Sequence, residues 1–160
     1  MTCAELGDRE RARALDEDNL RRARELRNEQ IEATTLDGLA RHALDEGRAE
    51  DAVPMAAESL RIYHQLGDPH GIAIELRRCA CAFARQGRAR TAAQILANAD
   101  AVHKEIGGTM SWVTKMKEEA LATIRAQLDE SAFAEAWEQG RALTADEAVA
   151  LALAEAERDA

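Results

Sequence analysis

Apolar and small residues in this chain recur at three- and four-residue steps, the spacing of an amphipathic helix rather than a strand. Ala12, Leu15, Leu20, Ala23 and Leu26 trace one face over 9–27, and Leu36, Leu39, Ala40 and Ala43 trace another over 29–45. The pattern predicts further helices over 49–65, 71–86, 89–105 and 110–127, a short one at about 130–139, and a last one ending near Glu157. Breakers separate these stretches. Gly47 follows the second, where a left-handed cap is expected. Gly67-Asp68-Pro69 ends the third sharply, Gly107-Gly108 follows the fifth, and Gly140 is expected to stop the seventh. Thr144-Ala145-Asp146-Glu147 has the form of a capping box at the start of the eighth. Pro54 falls just past the positions where proline costs a helix nothing, which predicts a slight irregularity in the third.

A longer period overlies the short one. Gly7, Gly47 and Gly87 stand at a constant step of 40 residues, and Leu26-Arg27-Asn28, Leu66-Gly67-Asp68 and Ile106-Gly107-Gly108 keep the same step. A fixed period of this size is the signature of stacked helical repeats. Ala40 and Ala80 precede two of the glycines at the same distance, as do Leu36 and Leu76, Leu39 and Cys79, and Ala43 and Phe83. Ala12, Ala52 and Ala92 follow each glycine at one distance, and Leu15, Met55 and Ile95 at another. Small side chains at such positions let paired helices approach closely.

This arrangement of apolar, small and large positions around a turn glycine resembles the tetratricopeptide repeat, with a longer unit than that family's. The resemblance implies an all-α, right-handed α-solenoid of antiparallel helix pairs over residues 1–127, with 128–160 as capping helices of the same domain. Leu36 and Leu76 fill the family's tryptophan-like position, and Ala43 and Phe83 its tyrosine-like one. Ala4-Glu5-Leu6-Gly7 reads as the end of a helix whose earlier turns are missing, so the first repeat is expected to be incomplete. The helix after it would then lack its usual partner.

The C-terminal run from Ala132 through Thr144, followed by Glu147-Ala148-Val149-Ala150-Leu151-Ala152, resembles the end of LuxR-type bacterial regulators with a central signalling ATPase. Leu66-Gly67-Asp68-Pro69-His70-Gly71 and Ala89-Arg90-Thr91-Ala92-Ala93-Gln94 resemble segments of the same group. What this implies is a sensor or partner-binding region of a bacterial signalling or transcriptional regulator. No G-x-x-x-x-G-K-S/T loop occurs, so nucleotide hydrolysis by these residues is not expected.

Composition narrows the function classes. A net charge of −9 argues against direct nucleic-acid binding, which needs a concentrated positive surface. The seven arginines between Arg9 and Arg27 interleave with Asp and Glu, the pattern of a solvated helix face. No apolar run reaches the length of a membrane span, and the first residues lack signal-peptide character. Three cysteines suit a reducing, cytoplasmic setting better than a disulfide framework. Cys79 and Cys81 lie about 200° apart on a helix, which prevents easy chelation of one metal; Cys79 fits a core position. His42, His64, His70 and His103 are dispersed, and no nucleophile elbow is present, so neither a metal, a cofactor nor catalysis is expected. Trp112 is expected to pack on Leu96 or the preceding turn, and Trp137 to anchor the short seventh helix.

The concave face of stacked helix pairs is lined by the first helix of each pair. The forty-residue step places Thr34, Asp37, Arg41 and Leu44 there, then Ile74, Arg77, Cys81 and Ala84, then Thr114, Lys117, Leu121 and Ile124. Arg41, Arg77 and Lys117 would form a basic strip able to clamp carboxylates of a peptide or protein partner, or a small effector. The alternative is that they pair with Asp37, Glu75 and Glu118. A scaffold or homodimer built on the first helix is the other reading.

Overall fold

The computed structural model describes residues 3–107 and 110–158, and these form eight helices and no strand. They are α1 (Cys3–Glu25), α2 (Glu29–Asp45), α3 (Ala49–Leu66), α4 (Pro69–Arg85), α5 (Ala89–Ile106), α6 (Ser111–Arg125), α7 (Glu130–Ala142) and α8 (Ala145–Glu157). Side-chain oxygens satisfy free N–H groups at several starts. Asn28 accepts from Ile31, Asp68 from His70 and Gly71, and Asp129 from Ala132. Thr144 and Glu147 close the expected capping box.

Four helix ends share one hydrogen-bond pattern. The N–H groups of Asn28, Arg48, Asp68 and Arg88 donate to the carbonyls of Ala23, Ala43, Tyr63 and Phe83, while Arg27, Gly47, Gly67 and Gly87 donate to Arg24, Leu44, His64 and Ala84. These are Schellman turns, each with a left-handed residue at its centre. The left-handed residues stand 20 positions apart, so the unit that repeats at the turns is one helix plus its turn. The first is an arginine at φ 52°, where a Cβ is unfavourable. Arg27→Gly should therefore raise stability by about 1 kcal/mol. A urea titration checks this; an unchanged or lower midpoint counts against it. Gly107 has φ 79° and ψ 163°, and its N–H reaches only His103, so the fifth turn leaves this series.

The expected boundary at Gly7 does not exist. α1 runs from Cys3 straight through it, and Gly7 is not left-handed. A Cβ there would meet nothing within 4 Å, so no packing partner imposes a turn, and the flanking Ala, Glu, Leu and Arg residues favour continuing the helix. Leu15, expected to face inward, is 64% exposed. α3 continues unbroken past Pro54, and α7 continues past Gly140 to Ala142.

Each of α1 to α5 packs on its neighbour in sequence. α2, α4 and α6 lie side by side, with α4 in the middle. α7 packs on α5, and α8 turns back across α3, α4 and α5. Ala136, Ala148, Val149 and Ala152 from these last helices join the same core as Leu36, Leu60, Leu76, Phe83, Ile95 and Leu96. Ala40, Ala52, Ala80 and Ala92 are fully buried, as their spacing predicts, and let the helices sit close together. Among the described residues, no helix is long and apolar enough to cross a membrane.

Candidate binding groove

The row α2–α4–α6 carries two adjoining concavities, of about 430 and 180 Å³. Arg41 from α2, Arg78 from α4 and Trp112 from α6 line both. Thr34, Asp37 and Asp16 extend the larger one toward α1; Leu44, Cys81, Arg85, Lys115 and Met116 form the smaller. The helical period explains this set. Asp37 and Arg41 are one turn apart on α2, as are Cys81 and Arg85 on α4 and Trp112 and Met116 on α6.

The cations of the groove are held differently. Arg78 is buried and donates from Nε to Asp37 Oδ1 at 2.7 Å. Burial works against its charge, but the Asp37 carboxylate outweighs burial and holds its pKa above the ordinary value. Arg85 donates to the Leu44 carbonyl, and Lys115 reaches Glu119 only at 3.9 Å. Arg41 is exposed and has neither an ion pair nor a hydrogen bond among the described residues. The indole of Trp112 is 43% exposed at the groove, its N–H directed at Met110 Sδ at 3.1 Å. It thus meets the preceding turn without being buried in the core.

Of the residues expected here, Thr34, Asp37, Arg41, Leu44 and Cys81 come together. Arg77 does not. It is 1% exposed and donates to the carbonyls of Ala73 and Ala99, the latter on α5. Ile74 is half-buried outside both concavities, and Ala84 is buried. Lys117 and Leu121 line a different cavity, toward α5 and α7, and Lys117 pairs with Asp100. The strip Arg41–Arg77–Lys117 is therefore interrupted. One residue along a helix rotates the side chain by about 100°. On α4 the groove takes Arg78 in place of Arg77. On α6 it takes Lys115 in place of Lys117. The spacings Arg78–Cys81–Arg85 and Trp112–Lys115–Met116–Glu119 were the available signal for the true faces.

Beneath the groove lies a buried acid. Glu75 of α4 is 0% exposed, and neither carboxyl oxygen has a hydrogen-bond partner among the described residues. Nearby Ser59 gives its hydroxyl proton to the Ala33 carbonyl at 2.8 Å. Burial, and then the Asp37 charge, push the Glu75 pKa well above the usual carboxylate range, against the pull of Arg78.

Cys79 and Cys81 are held as thiols. Burial pushes Cys79 well up and Cys81 up to about 11, so neither supplies a thiolate nucleophile near neutrality. Among the described residues no group of three His, Cys, Asp or Glu side chains could hold a metal ion. His42 and His64 bond to Asp16 and Asp146, while the rings of His70 and His103 lie 6.4 Å apart. Trp137 stacks on Phe133 within α7, with ring centroids 5.5 Å apart.

Comparison with protein-family models, with curated proteins and with solved structures finds no match for this chain.

Proposed function

We propose that this chain is a non-catalytic interaction domain, a right-handed solenoid of tetratricopeptide-like repeats, serving a cytoplasmic bacterial signalling or transcriptional regulator. It binds an acidic peptide or protein segment in the α2–α4–α6 groove and so biases attached domains. The observation that supports this most is Arg41: a guanidinium with neither an ion pair nor a hydrogen bond among the described residues, beside an exposed tryptophan, on the rim of adjoining concavities that Asp16, Asp37, Asp45 and Glu119 also line. A guanidinium free of hydrogen bonds takes a carboxylate in bidentate fashion, and the indole supplies a flat apolar anchor.

Fluorescence polarisation with labelled peptides ending in consecutive Asp and Glu residues tests the reading. Arg41→Glu with Lys115→Glu should weaken binding at least about tenfold. If no acidic peptide binds, or the double variant binds as well as the parent, the groove does not have this role.

A second reading has one observation of its own. Leu6 and Leu15 of α1, Leu26 of the turn after it and Ile31 of α2 are exposed. A scaffold or homodimer would cover them. Sedimentation of the parent against Leu15→Glu with Leu26→Glu distinguishes the two, since only the second reading loses an assembly.

A further inference from the structure

The helix α6 has two working faces. Lys115, Met116 and Glu119 look into the groove, whereas Lys117, Leu121 and Arg125, each one turn apart, look toward α5 and α7. On that second side lies a cavity of about 510 Å³, within the range of small-ligand sites. A smaller one of about 150 Å³ adjoins it and shares Asp100, Lys104 and Trp137.

One wall is flat and apolar: Leu121, and the stacked rings of Phe133 and Trp137, inclined by 26°. The rest is charged. The Asp100 side chain is 12% exposed and serves two ammonium groups, bonding Lys117 through Oδ1 and Lys104 through Oδ2 at 3.1 Å. Burial raises its pKa, but the two lysines outweigh burial and hold the carboxylate ionised. The lining carries three bases, Lys104, Lys117 and Arg125, and three acids, Asp100, Glu130 and Glu138, with Arg141 of the adjoining cavity as a fourth base. Arg125 is the base set against the aromatic wall. Its guanidinium lies 4.6 Å from the Phe133 ring centroid and has no carboxylate partner among the described residues. Of the remaining acids, Glu138 is taken by Arg141 at 3.2 Å, and Glu130 sits exposed in the first turn of α7, where a negative charge is favourable.

We propose that this α5–α6–α7 cavity is a small-molecule site, separate from the groove, for a flat aromatic anion. The ring system stacks on Trp137 and Leu121, and the acidic group takes Arg125 and Lys117. An aromatic cation is disfavoured on this wall, because the Arg125 guanidinium already occupies the exposed Phe133 face. A purely apolar ligand leaves Arg125 without a carboxylate or other anionic partner.

Anilinonaphthalene sulfonate is a suitable probe, with N-phenylnaphthylamine as its uncharged counterpart. In a Trp112→Phe background Trp137 is the single indole, so energy transfer reports this cavity. Sulfonate binding should saturate at one probe per chain with loss of Trp137 emission. Arg125→Gln with Lys117→Gln should weaken it at least about tenfold, and Arg41→Glu should leave it unchanged. The uncharged probe should bind more weakly and ignore both charge substitutions. Circular dichroism verifies folding, and Arg125→Gln alone, at an exposed position, decides if the double variant does not fold. Equal affinity for the two probes, indifference to Arg125→Gln, or loss of binding in Arg41→Glu overturns the proposal. The last result would place the probe in the groove instead.

Discussion

Gly140→Ala is expected to cost about 3 kcal/mol of stability, although alanine is the better helix former. Gly140 lies inside α7 where that helix crosses α5. A Cβ there would sit 2.0 Å from the Gln94 carbonyl oxygen and 2.6 Å from that residue's Cα and carbonyl carbon. Those atoms belong to the backbone of a packed helix, so no side-chain rotation relieves the overlap. α7 must lift instead. Lifting strains the Asn98 side chain, which donates to the Leu143 carbonyl at 2.7 Å, and opens the contact around fully buried Ala136 one turn earlier. The loss should lower the melting temperature by roughly 6–12 °C in a chain of this size. Gly7→Ala is the matched control, since a Cβ there meets open space and should slightly raise stability. A melting temperature for Gly140→Ala at or above that of the parent would falsify the close crossing.

Glu75→Gln should remove a pH dependence. Glu75 has a raised pKa in the folded chain, so over the pH window above the usual glutamate range the folded state binds a proton that the unfolded state has released. Stability from this group is therefore complete at low pH. It falls as pH rises, by up to about 1.4 kcal/mol per pH unit, until the buried pKa is passed. Asp100 works in the opposite direction: its lowered pKa contributes stability above the usual aspartate range, lost on acidification. The difference between Glu75→Gln and the parent isolates Glu75 from that opposing group. Urea denaturation between about pH 5 and about pH 8 should show the variant gaining on the parent steadily. A difference that stays flat across the range means that Glu75 is not the buried, unpartnered acid described above.

Much of the helix layout was legible because helix ends are local events. Asp68-Pro69, the Thr144–Glu147 box and the glycines at 47, 67 and 87 act through their own backbone and nearest neighbours. Arg27 was not legible as a left-handed residue, since an arginine carries no such signal; the surrounding hydrogen bonds impose it. Gly7 and Gly140 misled in the opposite sense. Both look like breakers, yet both are helical. One tolerates the absence of a side chain and the other requires it, and only the neighbouring helix distinguishes the cases.

The groove divides in the same way. Thr34, Asp37, Arg41, Leu44 and Cys81 could be placed by counting back from the turn glycines, because the first four on α2 and Cys81 on α4 keep the register of their own turns. Arg77 and Lys117 could not. Counting positions sets a side chain's angle relative to its own helix, whereas packing against α2, α3, α5 and α6 sets how α4 is rotated. Arg78 stands where Gly38 does on α2 and lines the groove with Cys81, whereas Arg77, one residue and about 100° away, turns into the core. Local propensity, capping and spacing thus decided where each helix begins, ends and carries its apolar stripe. The pairing of Asp37 with Arg78, the burial of Glu75 beside them and the assignment of the two faces of α6 arose only when the helices packed. Each depends on which atoms of a distant segment arrive within a few ångströms, and that is a property of the assembled core.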